Sequence, residues 1–188
     1  LPSLACGKDN ELTLHLQSSS FEKEGEFALR LVNASNISLS ILTFTLALEN
    51  GTPTLYACGL QGAKPGNQDN IKIATASLGR TPLKLFMGRA LLVLADILDV
   101  QRVLGVDDSV HPYHDDRYKS RRRRVKAHYT ETWTALGGQQ TEDGFWLLPT
   151  TEEAAPATKQ NAASQRKADV INNLRPRMRE LLFPETPA

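Results

Sequence analysis

The stretch ISLSILTFTLALENGTPTLYACGLQG, residues 37–62, limits what this chain can fold into more than any other. Asparagine and glycine both tolerate the positive φ that a two-residue hairpin turn demands, so Asn50-Gly51 turns one strand directly into the next. The first strand carries Leu39, Ile41, Thr43 and Thr45 against Leu42, Phe44, Leu46 and Leu48. A strand apolar on both faces belongs inside a sheet. The partner, PTLYACGLQG, returns antiparallel to it and is expected to break at Gln61-Gly62.

The flanking segments extend the pattern. Leu12, Leu14 and Leu16 alternate as in a strand, and so do Phe27, Leu29 and Leu31. NQDNIKIATASLG predicts a short helix, with Asn67 to Asn70 as its cap and Gly79 as its stop. A second helix is predicted from TPLK, with Thr81 as cap and Pro82 in the first turn, where a missing N–H does no harm. Its apolar residues cover most of the circumference, so it should be buried against the sheet.

QRVLGVDDS predicts a short strand, followed by a long helix from about Asp116 to Leu136 on which Val125, Tyr129, Trp133 and Leu136 form one inward stripe. Gly137-Gly138 ends that helix, and GFWLLP gives another strand. TTEEAAPATKQNAA is a linker of small and polar residues, and the helical tail behind it is expected to be interrupted at Pro176. The order gives an α+β fold with a mixed, mostly antiparallel sheet and flanking helices over residues 1–150, then a linker and C-terminal helical tail over 151–188.

Composition narrows the class. The 188 residues are 40% hydrophobic, enough for one sizeable core. Cys6 and Cys58 lie far apart and lack metal-ligand spacing, which points to a reducing, cytoplasmic setting without a disulfide framework or zinc site. The longest apolar stretch, Leu83 to Leu98, holds Lys84, Arg89 and Asp96 and so is no transmembrane segment, and no signal-peptide pattern opens the chain. The net charge is +1, yet RYKSRRRRVK, from Arg117 to Lys126, holds seven cations and no acid. Such a run meets an anionic small molecule or lipid head group, or is simply a solvated helix face. Few aromatics interleave with the arginines, which argues against nucleic acid.

LYACGLQG, LGRTPLKLFMGRALLVLADIL, RVLGVDDSVHPY, RRRRVKAHYTETWTALGG and DGFWLLP resemble, in order and spacing, the VirK family of Gram-negative bacterial proteins, over roughly Gly25 to Leu182. The resemblance implies a bacterial, cytoplasmic protein, linked in some species to virulence and to envelope defence against cationic peptides. Family members look longer at the N-terminus, which implies an upstream helical region. The strand order also looks like the GNAT-type acyltransferase fold, in which a central strand ends in a bulge or turn and a helix N-terminus receives the cofactor pyrophosphate. That likeness implies a thioester groove at Leu60, Gln61 and Gly62, with an acyl-coenzyme A or acyl-carrier-protein thioester as cosubstrate and no tightly bound cofactor.

In many GNAT-type enzymes a tyrosine on the penultimate helix protonates the leaving thiolate; this chain has Trp133 at that place, and Tyr129 one turn earlier. Tryptophan cannot act as an acid at neutral pH, whereas a positioned phenol can. His111 is the candidate base, because imidazole titrates near neutrality; His114 lies beside it. Arg80 and Arg121 are candidates for anionic groups on the cofactor, and His114, Arg117, Arg122 and Trp133 for the substrate. Tyr129 is equally readable as a core aromatic and His111 as an exposed loop residue. Lys64 in GAKPGNQDN is not followed by Ser or Thr, so the segment is not a P-loop. His111, His114, Asp115 and Asp116 have metal-ligand chemistry but lack a distant partner, so no metal site is assigned. The leading expectation is an acyltransferase-like protein acting on an amine or hydroxyl acceptor. The alternative is a non-catalytic accessory protein of envelope stress that binds an anionic partner through its arginine-rich helix.

Overall fold

The computed structural model of the protein describes residues 3–21, 23–107, 129–151 and 162–184. Its strands are β1 Ser3–Cys6, β2 Leu12–Ser18, β3 Phe27–Asn33, β4 Ser38–Glu49, β5 Thr52–Gly62, β6 Arg102–Val106, β7 Gln139–Gln140 and β8 Phe145–Leu148. Its helices are α1 Gln68–Ser77, α2 Leu83–Ile97, α3 Thr130–Ala135 and α4 Ala162–Leu182. The strands form one sheet in the order β1-β2-β3-β4-β5-β6-β8-β7. Every neighbouring pair is antiparallel except β5 and β6, which run parallel because the α1–α2 crossover carries the chain back to the starting edge. The expected α+β class with a mixed, mostly antiparallel sheet is present.

Asn50 (φ 49°) and Gly51 (φ 81°) both take the left-handed conformation that a two-residue turn needs. They set Glu49 opposite Thr52 and lock the register of the long β4–β5 hairpin. Leu42 and Phe44 of β4 and Leu55 and Leu60 of β5 are almost wholly buried. Side chains of this size contribute about 1.5–3 kcal/mol each when they leave water. Ten residues of α2 are buried, because the sheet covers one side of the helix and α3 and α4 cover others.

Three expectations need correction. β5 does not end at Gln61-Gly62: both pair with β4, opposite Ile41 and Ser40. The irregularity lies earlier, where Thr43 faces Gly59 and Phe44 faces Ala57, so Cys58 is the extra residue of a bulge. The α2 cap position belongs to Pro82, whose ψ of 138° is extended, rather than to Thr81, and the helix starts at Leu83. Finally, α4 is not interrupted at Pro176, which is exposed within a continuous helix. A proline inside a helix costs about 3 kcal/mol, but Ile171, Leu174 and Met178 are buried at three- and four-residue spacing, and their combined burial, at about 1.5–3 kcal/mol each, exceeds that cost. An ion pair between Arg175 and Asp96 adds a polar tie from α4 to α2. Of the long helix expected from Asp116, the described part is Thr130–Ala135; residues 116–128 lie outside the described residues.

Candidate functional site

β5 and β6 share four residue pairs, from Thr54 opposite Arg102 to Ala57 opposite Gly105. Beyond them the strands part. β5 continues to Gly62 on β4 alone, while Val106 of β6 pairs with Phe145 of β8. The bulge at Cys58 falls where this fork opens, and extra twist at a bulge is a sufficient physical cause for neighbouring strands to diverge.

Two aromatic residues one helical turn apart span the fork. The backbone N–H of Leu60 donates to the phenol oxygen of Tyr129 at 3.4 Å. On the other arm, the indole Nε1–H of Trp133 donates to the carbonyl oxygen of Val106 at 3.0 Å. The two rings lie 5.9 Å apart, and both are buried. Tyr129 immediately precedes α3 and Trp133 lies within it, so the short helix wedges the fork and meets backbone groups on both arms.

Glycines make room for the wedge. A Cβ on Gly105 would stand 2.8 Å from the Trp133 indole, and one on Gly138 would stand 2.8 Å from the Trp133 carbonyl oxygen. One on Gly88 of α2 would meet Leu136 at 2.4 Å. These contacts explain the Gly137-Gly138 step as a packing requirement as well as a helix stop. Trp146, paired with Gly105, donates its own indole N–H to Asp107 Oδ2 at 2.9 Å.

Glu24, in the loop before β3, carries no signal of its function in the sequence, where FEKEGEF reads as a polar turn. It is 4% exposed, and Gln61 Nε2 donates to its Oε2 at 3.0 Å. A Cβ on Gly59 would come within 2.5 Å of that oxygen and 2.6 Å of Thr43 Oγ1, so the carboxylate lies directly over the bulged strand. Burial, with the Glu24 charge second, pushes the Cys58 thiol up to about 11. Burial likewise raises Cys6 to about 12, against the opposing pull of Arg177. Both cysteines are free and stay protonated at neutral pH, which leaves neither as a ready nucleophile. Tyr56, raised to about 12 by burial and by its hydrogen bond to Glu49, is equally unsuited to give up a proton.

The structure brings Leu60 and Tyr129 into contact and sets Trp133 beside them. The side chain of Gln61 is engaged by Glu24, and among the described residues nothing lies within 4 Å of where a Cβ on Gly62 would stand. Arg80 is not part of this cluster. It follows the C-terminal end of α1, whereas Gly62 precedes the N-terminal end, and a ten-residue helix is about 15 Å long. His111, His114, Arg117, Arg121 and Arg122 lie outside the described residues. Among the described residues there is no group of three or more potential metal ligands and no helix long and apolar enough to cross a membrane.

Residues 2–169 match the family model described as "Protein of unknown function (DUF535)". The chain is also similar to "Uncharacterized protein YbjX" of Escherichia coli (strain K12), with 31% identity over 180 residues, 92% of this chain and 54% of the relative. The chain therefore spans about half the length of the curated relative it matches.

Proposed function

We propose, for a chain that belongs to the DUF535 family, that the fork between β5 and β6 receives the extended arm of an acyl thioester, in the manner of a GNAT-like acyltransferase. The observation that carries this reading is the four-pair parallel junction, beyond which one edge of β5 has no strand neighbour among the described residues. Main-chain groups on such an edge suit the amides of a pantetheine arm, as in strand addition. The Leu60 N–H, now held by Tyr129, marks where that arm meets the protein.

Supporting the same reading, the chain leaves Gly62 through a short loop into α1. The side chain of Asn67 at the cap position makes no capping bond to the helix backbone; its amide donates to the Lys64 carbonyl and its oxygen accepts from the Asn70 side chain. The first N–H groups of α1 are thus left for an anion such as the pyrophosphate of coenzyme A, with Asp69 in that turn neutralised by Lys72 at 3.3 Å. Acyl-coenzyme A or an acyl-carrier protein is the donor, and an amine or hydroxyl the acceptor. The acceptor attacks the thioester carbonyl and yields its proton to His111; the C–S bond breaks, and the thiolate takes a proton from Tyr129. Arg121, Arg117, Arg122 and His114 serve the anionic groups of donor and acceptor. On this reading the chemistry serves bacterial envelope defence from the cytoplasm, a setting that the VirK resemblance supports.

A non-catalytic reading has one observation in its favour: Tyr129 is 2% exposed and already fills the Leu60 position. In that case the fork is a structural joint and the arginine-rich segment binds an anionic partner. Calorimetry with acetyl-coenzyme A, a long-chain acyl-coenzyme A and free coenzyme A separates the two. Saturable binding of a thioester is expected, with Tyr129→Phe retaining it but slowing transfer. No binding by any of the three ligands overturns the acyltransferase reading.

A further inference from the structure

Away from the fork, β1, the short turn Lys8–Asn10, the C-terminal half of α1 and α4 line an open cavity of about 900 Å³. That lies within the range of about 300–1,000 Å³ typical of small-molecule sites. Its lining is divided by chemistry. Leu4, Cys6 and Leu174 are buried and Val170 half-buried along it, and Ile73 stands 61% exposed beside them. A large aliphatic side chain left in water next to a cavity gains by covering it with an apolar ligand.

The polar part of the lining holds Lys8, Asp9, Glu11, Arg80, Asp169 and Arg177. Lys8 and Asp9 pair with each other at 3.9 Å. Arg177 donates to the neutral Asn10 Oδ1 at 3.3 Å. Among the described residues, neither the Arg177 nor the Arg80 guanidinium is within ion-pair distance of a carboxylate. Arg80 also stands at φ 64°, directly after Gly79 at φ 64°, a left-handed conformation that an L-residue adopts only at a cost in free energy. Asp9 (φ 55°) and Asn10 (φ 57°) of the facing turn share it. These left-handed residues end α1 and form the facing turn, and so they fix the rim of the cavity on which Arg80 stands.

We propose that this cavity binds a small amphiphilic acid, its aliphatic chain along Leu4, Val170 and Leu174 and its anionic head group, carboxylate or phosphate, on the guanidinium groups of Arg80 and Arg177. Guanidinium matches either head group with paired N–H donors, and the apolar lining selects for a chain that inorganic anions lack. The site is separate from the β5–β6 fork and stands whether or not a thioester binds there.

Calorimetry on the full chain with decanoate, decyl phosphate, decanol and inorganic phosphate tests it. Decanoate or decyl phosphate binds saturably at one per chain, and the tighter of the two identifies the head group. Decanol binds at least about tenfold more weakly, as expected when a charge-assisted hydrogen bond is lost, and phosphate alone gives no heat. Arg80→Gly loses about tenfold in affinity while its thermal midpoint holds or rises, because glycine adopts the left-handed conformation freely. A residue kept for structure alone would leave affinity unmoved. Ala76→Trp, which fills the cavity, abolishes binding, and should it fail to fold, Arg80→Gly carries the test alone. The proposal is overturned if neither acid binds, if decanol binds as tightly as the acids, or if Arg80→Gly binds like the unmodified chain.

Discussion

Tyr129 and Trp133 show how a single side chain can stand in for a missing strand. Where β5 and β6 part, each arm keeps a backbone group that would otherwise be buried without a partner, an omission that costs about 1–3 kcal/mol. The phenol oxygen answers one and the indole N–H the other. Their inward stripe was legible from spacing, since residues four apart share a helix face. Which strand each would meet was not, because a hydrogen-bond partner far along the chain leaves no periodic trace. The same limit misplaced the important glycine. Gly62 draws attention beside Gln61, yet no described residue lies where its Cβ would be, whereas Gly59 has Glu24 and Thr43 there. Gly59→Ala should therefore lower stability by about 1–3 kcal/mol, the cost of overpacking, and Gly62→Ala should stay within about 0.5 kcal/mol. Paired urea melts check both; equal effects would mean that the carboxylate does not lie over the bulge.

Strands and helices follow from periodicity wherever one rule dominates. The β4–β5 hairpin was legible in full, because alternation, apolar content and the Asn50-Gly51 turn agree. The bulge was not: Cys58 sits in an unbroken apolar run, and an extra residue in a strand shows only in the register it imposes on its neighbours. Proline misled in the opposite direction. Pro176 stops a helix that stands alone, but α4 is held by the stripe it presses against the core. Replacing that exposed proline restores a backbone N–H without disturbing the buried face, so Pro176→Ala should stabilise the protein by up to about 3 kcal/mol. A shift of the thermal midpoint upward is the expected result, and a fall would mean that the proline sets a bend on which packing depends.

At the scale of the whole molecule, α4 is structural; the linker expected before it lies outside the described residues. Ile171, Leu174 and Met178 bury apolar surface worth about 1.5–3 kcal/mol each, a sum comparable with the entire stability of a domain, about 5–15 kcal/mol. A chain ending at Thr151 should accordingly lose its cooperative unfolding transition and bind an environment-sensitive dye; a sharp melt at the original midpoint would show that α4 contributes little. The junction of β5 with β6 has a different bearing, on time. The strands from β1 to β5 close one after another over short loops, so their contacts form early and locally. The parallel seam waits for the entire α1–α2 excursion to return, and the chain-closure entropy it has to overcome makes it a slow step. A nascent molecule therefore spends part of its life as a five-stranded half-sheet whose last strand still has a bare flank, the interval in which it is most open to capture by a chaperone or by another copy of itself.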